Sequence, residues 1–197
     1  MNGPAPHVLI VSGSPSAKSS LREVLRQVET QLQAAGTTTD FLDLATEPLP
    51  LFNPDTTYTA PHYAALKARL DRADVLLLGT PDYHGTLSGA LKNLLDHGWK
   101  EYAGKLFATV VASYDKGLTV TDHLRTVARQ VYAWSLPYAV TYADKADVAD
   151  GRIVSDALRE RVGMLVRDVR VYGGLLAAQR RADLAGRDPG FLARLRS

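Results

Sequence analysis

The segment HVLIVSGSPSAKSS, His7–Ser20, joins an apolar run to the beginning of a helix through a short turn. The run ends in Gly-Ser-Pro, which predicts a buried strand over His7–Ser12 followed by a turn. From Ser19 to Ala35, apolar residues recur on one helical face, and Ser19 or Ser20 can cap the first turn. A buried strand that leads directly into an amphipathic helix is the unit from which α/β folds are built.

Strands and helices alternate along the rest of the chain. The predicted strands are His7–Ser12, Thr37–Leu44, Val75–Gly79, Leu106–Ala112 and Pro137–Thr141. The predicted helices are Ser19–Ala35, His62–Arg72, Ser88–His97, Val120–Trp134 and Ser155–Arg181. Three of these strands are apolar throughout, which is typical of a parallel sheet covered by helices on both faces. Ligands bind such sheets beyond the carboxyl ends of the strands, so the loops after Val11, Gly79 and Ala112 form the candidate site.

The composition predicts one globular domain over residues 1–197. The hydrophobic fraction is 46% and the charged fraction 22%, both ordinary values for a globular protein. The chain has no cysteine, which excludes disulfides, thiolate metal sites and cysteine catalysis and fits a reducing compartment. The amino-terminal segment does not resemble a secretory signal, and no apolar run is long enough to cross a membrane. We therefore expect a cytoplasmic protein without a membrane partner.

Positive charge is concentrated towards the carboxyl end of the sequence. The net charge of the chain is +2, and residues 151–197 hold ten arginines against five acidic residues. These arginines alternate with acidic and apolar residues instead of forming a basic block. The pattern indicates a solvated helix face and predicts no nucleic-acid partner.

Loop 1, Gly13–Ser20, is the first candidate for ligand binding. It lacks the second glycine of the P-loop pattern G-x-x-x-x-G-K-[ST] and is one residue short. Its position at a helix amino terminus, with four serine hydroxyls and Lys18, suits a single phosphate monoester. The same residues also fit a serine-rich helix cap that binds nothing, and the loop alone does not separate these two interpretations.

The second candidate is the segment GTPDYHGTLSGALKNLLD, Gly79–Asp96. Pro81 stiffens the exit from the third strand. The residues Asp82–Gly85 would place backbone N–H groups and an aromatic ring along the sheet edge, where they could bind a flat heterocycle by its polar rim. An ordinary turn followed by an amphipathic helix explains the same residues without a ligand.

Two motifs in these segments resemble those of the NADPH-dependent FMN reductases. The first is Gly13-Ser14 with Ser16 and Ser19-Ser20, and the second is T-P-x-Y-x-G-x-x-x-G-x-L-K-N-x-x-D from Thr80 to Asp96. The resemblance implies a flavodoxin-like fold, an α/β three-layer sandwich with a five-stranded parallel sheet of order 2-1-3-4-5 and helices on both faces. Lys92, Asn93 and Asp96 match family positions on the following helix, and we expect a mainly structural role for them because they lie away from the loop.

The resemblance further implies which residues bind FMN. The phosphate would be bound by Ser14, Ser16, Lys18, Ser19 and Ser20. The isoalloxazine ring would be bound by Pro81, Asp82, Tyr83, His84 and Gly85, with Ser113, Tyr114 and Gly117 of the third loop bordering it. No catalytic side chain is predicted, because the cofactor carries the chemistry, and no metal-ligand spacing is present.

The sequence departs from the family pattern in three places. Lys18 is the nearest cation where the family commonly has an arginine in loop 1, and His84 stands where the family often has asparagine. The third loop keeps only Gly117 of a turn that is often glycine-rich, and it carries Tyr114 and Lys116. We interpret His84 as a solvated loop residue, although it could contact the flavin or substrate. Tyr114 and Lys116 could contact the flavin or could equally be surface residues.

The implied function is an NAD(P)H-dependent FMN reductase. NADPH or NADH would reduce the flavin, which would then reduce a small acceptor such as free flavin, a quinone or an azo compound. The alternative is a non-catalytic electron carrier of the flavodoxin type. Such carriers are typically strongly acidic, whereas this chain has a net charge of +2. Members of the family usually form homodimers or homotetramers, so we also expect a homo-oligomer.

Overall fold

A parallel β-sheet lies at the centre of the structure, a computed structural model that describes residues 5–196. Its main strands are β1 (His7–Ser12), β2 (Thr38–Asp43), β3 (Val75–Pro81) and β4 (Leu106–Ala112). They pair in the order β2-β1-β3-β4, all parallel, and two short strands beside β4 occupy the fifth position. The order 2-1-3-4-5 that the family resemblance implied is confirmed.

Five α-helices cover the two faces of this sheet. They are α1 (Ser20–Ala34), α2 (Pro61–Arg72), α3 (Gly89–Asp96), α4 (Leu118–Gln130) and α5 (Asp156–Ala185). Alternate residues of β1 separate the two cores, because Val8 and Ile10 pack with α1 and α5 whereas Leu9 and Val11 pack with α2, α3 and α4. Both faces of the sheet are therefore buried, which explains the uninterrupted apolar character of β1, β3 and β4.

The fifth position of the sheet is divided between β5 (Trp134–Ser135) and β6 (Val140–Tyr142). Strand β5 pairs with the beginning of β4 and β6 pairs with its end. Proline has no N–H for the ladder, and Pro137 lies in the interval between the two strands. The single strand predicted over Pro137–Thr141 is therefore only partly present.

The boundary between α4 and β5 also differs from the prediction. Helix α4 ends at Gln130, so the helix predicted to run as far as Trp134 is wrong over its last four residues. Tyr132 adopts a left-handed conformation with φ 57°, which a helix cannot contain. A second unpredicted feature follows β6: a hairpin of β7 (Val148–Ala149) and β8 (Arg152–Ile153) leads into α5.

Helix α5 and the residues after it hold most of the arginines of the carboxyl-terminal region. Several of these side chains contact the chain itself: Arg180 donates to the Ala103 carbonyl at 2.9 Å, and Arg181 pairs with Asp74 at 3.1 Å. No helix within residues 5–196 is both long enough and apolar enough to cross a bilayer.

The carboxyl ends of β1, β3 and β4 bring three loops to one edge of the sheet. These are loop 1, loop 2 (Asp82–Ser88) and loop 3 (Ser113–Gly117). Gly13 permits a close approach of loop 1 to β3, because a Cβ atom there would lie 2.5 Å from the Gly79 carbonyl oxygen. The Gly13 N–H donates to that same oxygen at 2.9 Å. The Ser88 hydroxyl donates to the Gly13 carbonyl, which connects loop 1 to loop 2.

Candidate functional site

Serine side chains stabilise the turn of loop 1 and still retain donor capacity. Three of them accept hydrogen bonds from backbone N–H groups at 3.3 Å: Ser14 from Ser16, Ser16 from Lys18, and Ser19 from Leu21. Because a hydroxyl accepts through a lone pair, each of these side chains keeps its own hydrogen for another acceptor. Ser19 is also the amino-terminal cap of α1, which confirms that one of the two serines, Ser19 or Ser20, caps this helix.

Loop 1 also presents unused backbone donors. The N–H groups of Ser14, Ala17 and Ser20 have no acceptor within residues 5–196. They lie at the amino-terminal end of α1, where the helix dipole is positive, and the exposed Lys18 adds a full charge. This donor set matches the four oxygens of one phosphate group, and it lacks the extended glycine arc that surrounds a triphosphate.

A second cation, which was not predicted from the sequence, stabilises the carbonyl side of loop 1. Arg22, in the first turn of α1, donates to the Ala17 carbonyl at 2.7 Å and pairs with Asp43 at the end of β2. Its guanidinium therefore holds the carbonyl side of loop 1, which leaves the N–H side available to a ligand. Its place in the first turn of α1, directly after loop 1, was the available signal.

Loop 2 contains a tight two-residue turn at His84 and Gly85. Tyr83 and Thr86 exchange both backbone hydrogen bonds, at 3.0 and 3.2 Å. The two residues between them have φ values of 57° and 80°, as in a type I′ turn. Asparagine and glycine favour such a turn, and histidine also tolerates the left-handed region. The position of His84, where the family often has asparagine, is therefore explained by backbone conformation.

The carboxylate of Asp82 connects loop 2 to loop 3. One of its oxygens accepts the Gly85 N–H at 2.8 Å, and the other accepts the Ser113 hydroxyl at 2.9 Å. Both contacts are charge-assisted and stronger than those between neutral groups. We conclude that Asp82 positions the two loops, and that the His84 N–H is the backbone donor of residues 82–86 that has no acceptor within the described chain.

The three loops enclose a cavity of about 250 Å³. Ten of the predicted cofactor-binding residues line it: Ser14, Ser16, Lys18, Ser19, Ser20, Pro81, Asp82, Tyr83, Ser113 and Tyr114. The other three predicted residues, His84, Gly85 and Gly117, lie outside its lining. Tyr83 and Tyr114 are 42% and 85% exposed, so two aromatic rings border the open side. A planar ligand could cover both rings.

Gly117 has a structural explanation. It is the residue before α4, with φ 59°, and a Cβ atom there would approach Val111 Cγ1 to 3.0 Å.

Asn93 also has a structural explanation, because its side-chain oxygen accepts the Phe52 N–H at 2.8 Å and its amide donates to the Pro50 carbonyl at 2.9 Å. Asn93 thus anchors the long loop before α2, consistent with the structural role expected for it.

Asp144, which follows β6, also lines the cavity and was not predicted. The Ser20 hydroxyl donates to its carboxylate and lies 2.9 Å from the Tyr142 phenol oxygen. Burial raises the pKa of Tyr142 above its usual value, so the phenol stays protonated and can donate to Ser20. A carboxylate therefore lies beside the donors of loop 1. The sequence contained no local signal for this contact, because Ser20 and Asp144 are 124 residues apart.

No group of three or more histidine, aspartate or glutamate side chains within residues 5–196 could hold a metal ion. The cavity at the sheet edge offers a ligand hydrogen-bond donors, the ammonium group of Lys18 and two aromatic rings. Residues 6–147, which include all three loops, match the family model of the NADPH-dependent FMN reductases.

The chain belongs to this family.

Named relatives in the family agree with this assignment. The chain is 30% identical over 169 residues to an NADPH azoreductase of Bacillus sp. (strain OY1-2), a match that covers 84% of this chain and 91% of the relative. It is 29% identical over 160 residues to an FMN-dependent NADPH-azoreductase of Staphylococcus haemolyticus (strain JCSC1435), covering 75% and 84% of the two chains. The family prediction made from the two motifs is confirmed.

Solved structures of similar shape support the fold. A flavoenzyme NAD(P)H:(acceptor) oxidoreductase from Paracoccus denitrificans matches with a TM-score of 0.68 and 20% identity, covering 88% of this chain and 98% of that one. At this identity the likeness concerns the fold alone. The flavodoxin-like three-layer sandwich predicted for this family member is confirmed.

Proposed function

We propose that this protein is an NAD(P)H-dependent FMN oxidoreductase that transfers electrons to a small-molecule acceptor. The observation that carries the proposal is the donor set of the cavity: free N–H groups and hydroxyls at the start of α1, beside a turn bordered by two exposed tyrosines. Membership of the NADPH-dependent FMN reductase family supports the same conclusion.

The residues of the cavity fit FMN as the resident cofactor. Loop 1, with the N–H groups of Ser14, Ala17 and Ser20 and the ammonium of Lys18, would hold the phosphate. Tyr83 and Tyr114 would hold the ring. A bound flavin would supply a two-electron carrier, which the protein would bind and orient.

Azo compounds are the first acceptors to test, because both curated relatives carry azoreductase in their names. Quinones and free flavin are the other candidates. We also propose that the protein is cytoplasmic and forms a homodimer or homotetramer. Residues 1–197 of each chain would form a single domain. Self-association would cover exposed aromatic side chains such as Tyr132 and Trp134, which are 49% and 50% exposed.

A titration followed by a steady-state assay tests the proposed function. Adding FMN to flavin-free protein should quench the flavin fluorescence with one site per chain. The loaded protein should then oxidise NADPH or NADH in the presence of an azo dye, a quinone or free flavin, with ping-pong kinetics. Binding of FMN without any oxidation of either nicotinamide would identify an electron carrier, and a protein that leaves FMN fluorescence unchanged is not a flavoprotein.

The variant Ser16→Ala should weaken FMN binding about fivefold, because one hydrogen bond to the phosphate contributes about 1 kcal/mol. Ser16 is exposed on the turn and is not the cap of α1, so the fold should remain intact. Ser135→Ala, an exposed serine on β5 outside the cavity, is the matched control and should bind FMN normally. Equal affinity in both variants would place the phosphate away from Ser16.

A further inference from the structure

A larger cavity of about 580 Å³ lies on the β6 side of loop 3. We call it the arginine cavity, and the charged residues that line it are Lys116, Asp122, Arg125, Asp147 and Arg161. It shares Ser113 and Tyr114 with the 250 Å³ cavity enclosed by the three loops, which we call the flavin cavity, so the two cavities adjoin along loop 3. Its three cations exceed its two carboxylates by one charge.

The carboxylates of the arginine cavity are already engaged. Asp147 accepts the Ala143 N–H at 2.8 Å, and Asp122 lies 3.6 Å from Arg125 with its side chain 73% exposed. Arg161 forms no salt bridge with any carboxylate of residues 5–196. The phenol of Tyr138, which also lines the cavity, is held neutral, because burial and its hydrogen bond to Asp168 raise its pKa. The cavity is therefore suited to an anion.

Arg161 has an unused buried donor. One terminal nitrogen donates to the Thr141 carbonyl of β6, but Nε is buried and has no hydrogen-bond partner within the described chain. A buried donor without a partner is unfavourable, and native structures contain few of them. Arg161 also lines a cavity large enough for a ligand, and an oxyanion bound there could accept from the terminal N–H groups that the Thr141 carbonyl does not use.

We propose that the arginine cavity binds the 2′-phosphate of NADPH through Arg161 and Arg125, and that it makes the protein prefer NADPH to NADH. The proposal rests on the proposed function, because the nicotinamide must lie beside the flavin cavity while the adenosine end extends past Tyr114 into the arginine cavity. A 2′-phosphate is a terminal monoester with close to two negative charges, and the guanidinium fork matches its geometry. NADH has only a hydroxyl at this position.

The test compares three variants on the flavin-loaded protein, with one acceptor and both nicotinamides. In Arg161→Met and in Arg125→Met, the ratio of KM for NADPH to KM for NADH should rise about fivefold. Arg159→Met is the matched control, since Arg159 also extends from α5 to a backbone carbonyl, that of Ile153 at 2.9 Å, but does not line the cavity. The ratio should not change in this control.

A binding measurement gives a readout that does not depend on turnover. Titration calorimetry should show that adenosine 2′,5′-bisphosphate binds the wild type more tightly than adenosine 5′-monophosphate does. This difference should disappear in Arg161→Met and Arg125→Met. Thermal unfolding of each variant reports whether the contact of Arg161 with β6 was needed for folding, and Arg125→Met keeps the test decisive if it was.

Two results would overturn the inference. One is an unchanged KM ratio with unchanged bisphosphate affinity in both variants. The other is a rise in KM for a sulfonated azo dye, but not for an uncharged quinone or for NADPH, because the cavity would then bind the acceptor. A wild type that oxidises neither nicotinamide contradicts the proposed function instead, and the calorimetric comparison still tests the arginine cavity by itself.

Discussion

Replacing Arg22 with methionine should lower the free energy of unfolding by about 2–3 kcal/mol and weaken FMN binding at least tenfold. The side chains of Arg22 and Asp43 are only 17% and 8% exposed. Removing one partner of a buried ion pair leaves the other charge without compensation, which is strongly destabilising. In a protein of this size, the midpoint of thermal unfolding should fall by roughly 5–10 °C.

The effect on FMN has a different origin from the effect on stability. Arg22 holds the Ala17 carbonyl, and that contact orients the peptide groups of loop 1. Without this contact, the free N–H groups of the loop would no longer be fixed towards the phosphate. Binding of FMN would then have to order them, and this entropy cost would weaken the affinity.

The double variant Arg22→Met/Asp43→Asn separates these two effects. Asparagine removes the unpaired charge and can still accept the Ala45 N–H, which lies 3.1 Å from Asp43 Oδ1. Most of the lost stability should return, whereas the weak FMN binding should persist. Thermal unfolding and fluorescence titration measure the two quantities, and recovery of full FMN affinity in the double variant would show that loop 1 does not depend on Arg22.

Replacing Asp144 with asparagine should tighten FMN binding about five- to thirtyfold. In the native protein this carboxylate accepts the hydroxyl of Ser20, one of the groups predicted to bind the phosphate. A phosphate that accepts a hydrogen bond from Ser20 would lie about 5 Å from the carboxylate, given ordinary hydrogen-bond lengths. With partial screening by solvent, repulsion between the carboxylate and the phosphate amounts to about 1–2 kcal/mol.

The gain in affinity should depend on ionic strength, because salt screens the repulsion that the variant removes. FMN titrations at low and high salt should therefore show a larger difference between Asp144→Asn and wild type at low salt. Asp115→Asn is the control, since Asp115 belongs to loop 3 but does not line the flavin cavity. Weaker FMN binding in Asp144→Asn would mean that the carboxylate orients Ser20 towards the phosphate instead of opposing it.

The sheet and its helices could be predicted because they depend on local patterns. The apolar runs of β1, β3 and β4 and the helical spacing of α1 are visible in short windows of sequence. The division of the fifth position was missed because β5 has only two residues and both are exposed. The hairpin of β7 and β8 was missed for the same reason, since each of its strands also has two residues.

The candidate site could be predicted in part. The residues of loops 1 and 2 follow directly from strand ends, which sequence patterns locate. Arg22 and Asp144 were missed because their roles come from contacts with residues far away in the chain, such as Asp43 and Ser20. The arginine cavity was missed for a similar reason, because it combines α4, β6 and α5.

The hydrogen bonds that connect the three loops all lie within the chain itself. Gly13 contacts β3, Ser88 contacts Gly13, and Asp82 contacts Ser113. Because these contacts join residues of the chain, they preorganise the loops and lower the ordering cost of binding a ligand there. Reconstitution should follow simple second-order kinetics without a slow refolding phase. The same property would allow synthetic flavin analogues to be exchanged into the protein by dialysis.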